Sequence, residues 1–116
     1  MMQVDPKWLI NSVTIKKVLK KNEWGEPSYD KPLKIERVRV DLTPTYGGSD
    51  NERSLVANGV IFLYSEFSIP FQEITQDYLN SVLLIDEFTQ EYLIKQISPL
   101  FNVEDGSLFG YELEVL

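Results

Sequence analysis

The sequence contains no cysteine and no histidine. Disulfide staples, zinc-thiolate sites, thiol nucleophiles and the Ser-His-Asp constellation are therefore excluded, and acid-base chemistry near neutral pH would fall to a tuned carboxylate, lysine or tyrosine. Long hydrophobic runs are also missing. The longest, VIFLY at 60–64, falls far short of the roughly 20 apolar residues a membrane helix needs. The first residues lack the basic-then-apolar pattern of a secretory leader. The expectation is a soluble, intracellular protein with no membrane partner. The glycine pair in YGGSD is not followed by Lys-Ser/Thr, so a phosphate-binding loop is not expected. Asp50-Asn51-Glu52 and Glu104-Asp105-Gly106 lack the spaced acidic loop of a calcium hand and read as turns. Neither a metal nor a cofactor is expected.

What is present is a chain of 116 residues, 43% hydrophobic. That is enough to bury one core and too short for a second, so residues 1–116 read as a single domain. The net charge of −7 conceals a division: residues 1–40 hold nine Lys/Arg against five Asp/Glu, whereas residues 41–116 hold two against thirteen. If folding separates the two segments onto different faces, copies can approach head to tail, positive against negative, in a contact that closes into a ring where the rotation permits. Alternatively, the two halves interleave in one sheet.

Strand punctuation dominates the chain. MMQVDPKWLI (1–10) reads as an N-terminal arm or one short turn, with Trp8 and Leu9 packing on the parent core or on a neighbour. SVTIKKVLK (12–20) is rich in β-branched residues, with Val13 and Ile15 in one phase and Val18 in the other. Turn residues follow, and Pro27 and Pro32 prevent a helix before the next strand. In LKIERVRVDL, Leu33 and Ile35 fall in one phase and Val38, Val40 and Leu42 in the other. This predicts a bulge at Glu36-Arg37, and a bulge supplies the bend a small barrel needs to close.

Residues 43–54 have no apolar periodicity and read as a long mobile loop of the kind that often carries function. LVANGVIFLYSEF reads as one strand, its VIFLY run buried on both sides in a central position. Pro70 opens a possible short helix placing Phe71, Ile74 and Tyr78 on one face. SVLLI and QEYLIKQI form a hairpin around DEFT, a turn without the glycine that tight hairpins prefer. In LFGYELEVL, strict alternation puts Phe109, Tyr111, Leu113 and Val115 on one side and Glu112 and Glu114 on the other. The fold class is mainly β: a small barrel or sandwich of about six strands, one long inter-strand loop and at most one short helix.

Two constellations carry both a chemical and a blander reading. Glu112 and Glu114, roughly 7 Å apart along a strand, have a spacing open to paired carboxylates, but the alternation sends them to a charged solvent face, and no catalytic residue is assigned. Lys16, Lys17, Lys20, Lys21, Lys34, Arg37 and Arg39, interleaved with Trp24 and Tyr29, could contact phosphates and stack on bases. A small β-barrel module for single-stranded nucleic acid is thus the alternative reading. Long-range repulsion from the acidic half favours a solvated or protein-facing basic patch instead.

The succession WGEPSYDKPLKIERVRVDL (24–42), LVANGVIFLY (55–64), EYLIKQI (91–97) and YELEVL (111–116) resembles the small minor capsid proteins of tailed bacteriophages that infect Gram-positive bacteria. Within that family the likeness is to head-completion or stopper proteins of the head-to-tail connector. One departure is the turn before EYLIKQI, where the family usually has Asp-Gly and this chain has Phe88-Thr89. The resemblance implies a virion structural protein without enzymatic activity, assembled in the host bacterial cytoplasm. It implies a ring, twelvefold on the virion, whose partners are other copies, the portal or adaptor ring and tail proteins. Genomic DNA would pass its channel without specific binding. It also implies a gating loop over 43–54 with Tyr46, Gly47, Gly48, Ser49, Asp50, Asn51, Glu52 and Arg53 at its tip. Charge asymmetry, with aromatics that pack at a barrel end or against a neighbour, adds an expected inter-subunit interface of Trp8, Trp24, Tyr29, Arg37 and Arg39; the alternative is that Trp24 and Tyr29 cap this chain's own core.

Overall fold

The computed structural model describes residues 5–19, 24–48 and 54–116. Eight strands follow one another: β1 (Asn11–Lys16), β2 (Leu33–Asp41), β3 (Thr45–Gly47), β4 (Ser54–Ala57), β5 (Gly59–Tyr64), β6 (Val82–Ile85), β7 (Gln90–Phe101) and β8 (Leu108–Val115). Six of them close into an antiparallel barrel in the order β1-β2-β5-β8-β7-β6, and β3 and β4 form a separate two-stranded sheet. Closure leaves no barrel strand with an unpaired edge.

The barrel interior is filled by the residues whose period-2 spacing points them inward. Val13, Ile15, Ile35, Val38, Ile61, Leu63, Leu83, Ile85, Ile94, Leu113 and Val115 are all essentially inaccessible to solvent. Burying each stabilises the fold by about 2 kcal/mol. The predicted bulge is present: Asn11 pairs with Val38 and Ser12 with Glu36, leaving Arg37 as the extra residue at φ 61°. The side chain of Ser68 fixes it by donating to the Arg37 carbonyl (2.9 Å). β1 itself ends at Lys16, and the out-of-phase Val18 instead bridges to Tyr29.

Four expectations are corrected. Within 43–54 the described residues are not all structureless, because Thr45–Gly47 pairs with Ser54–Ala57. LVANGVIFLYSEF is accordingly not one strand. It breaks at Asn58, whose N–H donates to the Val115 carbonyl (2.6 Å), and resumes at Gly59, where a Cβ would lie 2.7 Å from the Asp41 carbonyl oxygen. Only glycine permits that approach of β5 to β2. Within VIFLY, Ile61 and Leu63 are buried in the barrel while Val60 and Phe62 remain half-exposed. β5 is central, as expected; on its outer face Val60 and Phe62 are only half-covered, and burial reaches both faces only at Tyr64, between Phe62 and Phe109.

No helix follows Pro70. Reciprocal backbone bonds between Ile69 and Glu36 (2.8 and 3.0 Å) pull the chain across the barrel end, and only the single 3-10 turn Gln76–Tyr78 forms. Phe71, Ile74 and Tyr78 nevertheless all pack on the core, closing that end. Finally, Phe109 does not share a side with Tyr111, Leu113 and Val115. The β7–β8 register shifts between Leu100-Gly110 and Phe101-Leu108, and the freed Phe109 ring stacks on Tyr64.

The β6–β7 turn at Asp86–Thr89 solves its lack of glycine by putting Thr89 at φ 50°. Its two carboxylates pin β1: Asp86 accepts from the Ser12 and Thr14 hydroxyls (3.0 and 2.8 Å), and Glu87 from the Ser12 amide (2.7 Å), the Ser12 hydroxyl and the Asn11 side chain. Burial pushes Glu87 upward, but these hydrogen bonds outweigh it and hold the carboxyl below its ordinary range. The N-terminal segment forms a 3-10 turn, Pro6–Trp8, capped by the Asp5 carboxylate accepting from the Lys7 amide (2.9 Å). Among the described residues no helix is long and apolar enough to cross a membrane.

Candidate functional site

Antiparallel connection sorts the loops between the two barrel ends. The β1–β2 connection (17–32), the segment 65–81 and the β7–β8 turn lie at one end; the N-terminal turn, the β3–β4 hairpin and the β6–β7 turn lie at the other. The radius of gyration, 15.1 Å, exceeds the roughly 13 Å of a compact chain of this length, as projecting hairpins require.

From the second end toward the first, a strip of one arginine and several aromatics runs along the outside of β2, β5 and β8. Arg39 is registered with Phe62, and Phe62 with Glu112. The Arg39 guanidinium lies 5.1 Å from the Phe62 ring centre and 5.9 Å from that of Trp8, caged between the two. Phe62 stacks on Tyr64 (6.4 Å, 9°), and Tyr64 on Phe109 (6.4 Å, 10°). Burial raises the Tyr64 hydroxyl above its ordinary value of 10.0, opposed by the charge of and a hydrogen bond with Arg39 and reinforced by Glu112. Trp8 stays 55% exposed and Ile10 77%. With Lys7, Asn11, Arg39 and Val40 they line an open cleft of about 400 Å³.

At the first end, Leu19 donates its amide to Ser28 (2.8 Å) and Asp30 its amide to Lys17 (2.9 Å), extending the β1–β2 hairpin beyond the barrel. Trp24 is 80% exposed and Tyr29 41%, so they do not cap the core. Lys17 lies 5.0 Å from the Tyr78 ring centre.

The five expected interface residues are thus divided. Trp8 and Arg39 touch, Arg37 is exposed at the bulge of the same strand, and Trp24 and Tyr29 occupy the opposite end. Of the expected gating residues, Tyr46 is exposed (58%) in the middle of β3, Gly47 is half-buried and Gly48 takes φ 98°. Ser49, Asp50, Asn51, Glu52 and Arg53 lie outside the described residues, as do Lys20 and Lys21. Phe62, Tyr64 and Phe109 were not singled out from the sequence. The signal for the first two was the alternation of aromatic and aliphatic residues within VIFLY.

Glu112 and Glu114 face outward, opposite Phe62 and Val60. Asp105 closes the β7–β8 turn by accepting from the Ser107 amide and hydroxyl, which lower its carboxyl below the usual range. Among the described residues no group of three or more carboxylates gathers to hold a metal. What this arrangement offers is contact surface: a caged arginine with exposed aromatic neighbours, and hairpins at both ends.

Comparison with known proteins agrees with that character. The family model for the minor capsid protein matches residues 6–115. An uncharacterised protein, ORF5, of Lactococcus phage LL-H is 30% identical over 97 residues, covering 84% of this chain and 80% of its own length. The ORF5 protein of Lactococcus phage mv4 is 35% identical over 81 residues, 68% of each chain. No solved structure matches the chain significantly. A match that begins at the Pro6 turn and ends with β8 takes in the whole closed barrel and its hairpins, and on it the chain belongs to the minor capsid protein family of bacteriophages.

Proposed function

We propose that this chain is the stopper, or head-completion, subunit of the head-to-tail connector, assembling as a ring below the portal and adaptor, retaining packaged DNA and docking the tail. The observation that carries this reading is the β3–β4 hairpin, a sheet of its own outside the barrel. It coincides with the segment that the resemblance assigns to the gate. A hairpin whose two feet are held 41-to-60 by β2 and β5 swings as a unit while the barrel stays rigid.

The rest of the molecule is consistent with that role. A barrel with every edge paired cannot grow by strand addition, so its contacts are made by side-chain surfaces and projecting hairpins. A net charge of −7 repels phosphate, which lets DNA pass a channel without adhering. No catalytic group is required of such a subunit, and assembly would take place in the host cytoplasm before incorporation into the virion. Twelve copies, the portal or adaptor ring and tail proteins are the partners this reading implies.

The test is removal of the gene followed by electron microscopy of the particles. Empty or leaking heads beside unattached tails are expected; normal infectious virions would end the proposal.

A further inference from the structure

At the first barrel end the β7–β8 hairpin runs past the strand beside it. β5 pairs with β8 only as far as Gly110, whereas β7 and β8 stay paired to Phe101 and Leu108. The turn beyond is closed by the Asn102 amide donating to the Ser107 carbonyl and the Gly106 amide to the Asn102 carbonyl (both 2.8 Å), and by the Asp105 carboxylate accepting from the Ser107 amide and hydroxyl (2.9 and 2.7 Å). The projection is thus braced by its own bonds, and what it presents is apolar: Phe101 is 55% exposed and Val103 99%.

Residues 65–81 cross the same end on their way from β5 to β6, and between them and the hairpin lies an open groove of about 400 Å³. Its walls are Pro99, Phe101, Leu108 and Tyr111 of the hairpin and Ile74 of the crossing segment, with Glu73 at the rim. Ile74 and Tyr111 belong to the buried core, so the floor is fixed, while Pro99 and Phe101 stand exposed above it. The charge around the groove is of one sign. Residues 65–81 and 98–111 carry Glu66, Glu73, Asp77, Glu104 and Asp105 and neither lysine nor arginine. Among the described residues Lys95 touches the crossing segment through the Asn80 side chain (2.9 Å) and Lys17 through the Tyr78 ring (5.0 Å to its centre), and neither lines the groove.

We infer that this groove docks a lysine- or arginine-bearing segment of a different virion protein, with the segment's apolar side chains against Phe101 and Leu108 and its cations beside Glu73 and Asp77. An apolar floor supplies the anchorage, and a rim of one sign selects the partner by charge. The same rim repels phosphate, so neither nucleic acid nor an anionic membrane surface suits it. A second copy of this chain suits it poorly, because the exposed apolar groups of the chain have carboxylates beside their cations. Arg39 and Glu112 flank the same Phe62, Asp5 caps the turn that carries Trp8, and Lys31, close to Tyr29, follows Asp30 and donates its amide to that carboxylate. The inference rests on the connector reading for the partner being a neighbour in the virion, and adds which end of the barrel that neighbour meets and the chemistry of the segment it inserts.

The test places a photoreactive side chain in the groove. Phage carrying Phe101→p-benzoylphenylalanine are purified and irradiated, and the cross-linked peptide is identified by mass spectrometry. The expected product joins position 101 to a segment of a different virion protein in which lysine and arginine outnumber aspartate and glutamate; the same probe at Tyr46, at the other barrel end, does not give that product. Particles that contain the protein but yield no cross-link, or one to DNA, to an acidic segment or to another copy of this chain, overturn the docking site and leave the connector reading intact. Particles of the parent phage that lack the protein overturn the connector reading itself. A second measurement leaves Phe101 in place: Glu73→Lys with Asp77→Lys, both at exposed positions outside the core, is expected to lower the infectious titre roughly tenfold or more while the purified variant keeps the circular dichroism of the parent. An unchanged titre also overturns the docking site.

Discussion

Replacing Arg39 with alanine removes the centre of the outer strip while leaving the barrel core untouched. Arg39 lies over two rings, Trp8 and Phe62, and at a half-exposed site each such contact is worth about 0.7 kcal/mol. The loss expected is therefore about 1.4 kcal/mol. For 116 residues the unfolding entropy is roughly 0.24 kcal/mol/K, so Tm should fall by about 6 °C. The assay is thermal unfolding followed by tryptophan fluorescence in a Trp24→Phe background, where Trp8 alone reports. In that background a double-mutant cycle between Arg39→Ala and Trp8→Ala, followed by far-ultraviolet circular dichroism, should give a coupling of roughly 0.5–1 kcal/mol. A fall of less than about 2 °C with no coupling refutes the cage.

Two further perturbations follow from the β6–β7 turn. Thr89 is β-branched at φ 50°, so Thr89→Gly should stabilise the chain by about 0.5 kcal/mol despite greater freedom when unfolded; a lower melting temperature counts against the strain. Glu87 is held below its ordinary value of 4.5, so its contribution is present above that pH and is lost as pH falls through the depressed native value. Glu87→Gln should accordingly lower stability at pH 7 and narrow the gap to the parent protein in acid, measured by urea unfolding from pH 7 to pH 3; an equal gap throughout refutes the assignment.

How much of this was legible depended on whether the relevant force acts along the chain or across it. The bulge at Arg37 could be read because a switch in apolar phase between Ile35 and Val38 is a local signal. β8 could be read from its alternation except at Phe109, where a register shift against β7, invisible in either strand alone, turned the ring outward. The β3–β4 hairpin was missed because Thr45–Gly47 has no apolar period of its own and the apolar Leu55, Val56 and Ala57 of its partner strand read as the start of the next strand. The helix expected after Pro70 was displaced by the long-range bond between Ile69 and Glu36, although the residues it was meant to bury were correct. The Trp8–Arg39 cage joins residues far apart in sequence, and neither carried a mark of the other. Charge asymmetry was plain from counting; that Arg39 and Glu112 flank the same Phe62 required the strand register.

Gly59 has a consequence for how such subunits change. Because β2 and β5 are already neighbours at Asp41 and Val60, everything from Leu42 to Asn58 is an excursion that leaves and re-enters the barrel at one doorway, and the tight approach at Gly59 is its doorpost. An excursion of that kind can be lengthened, shortened or exchanged without disturbing any of the six closing strands. Hairpin length and barrel architecture are thereby free to evolve on separate schedules, with the glycine as the position both must keep.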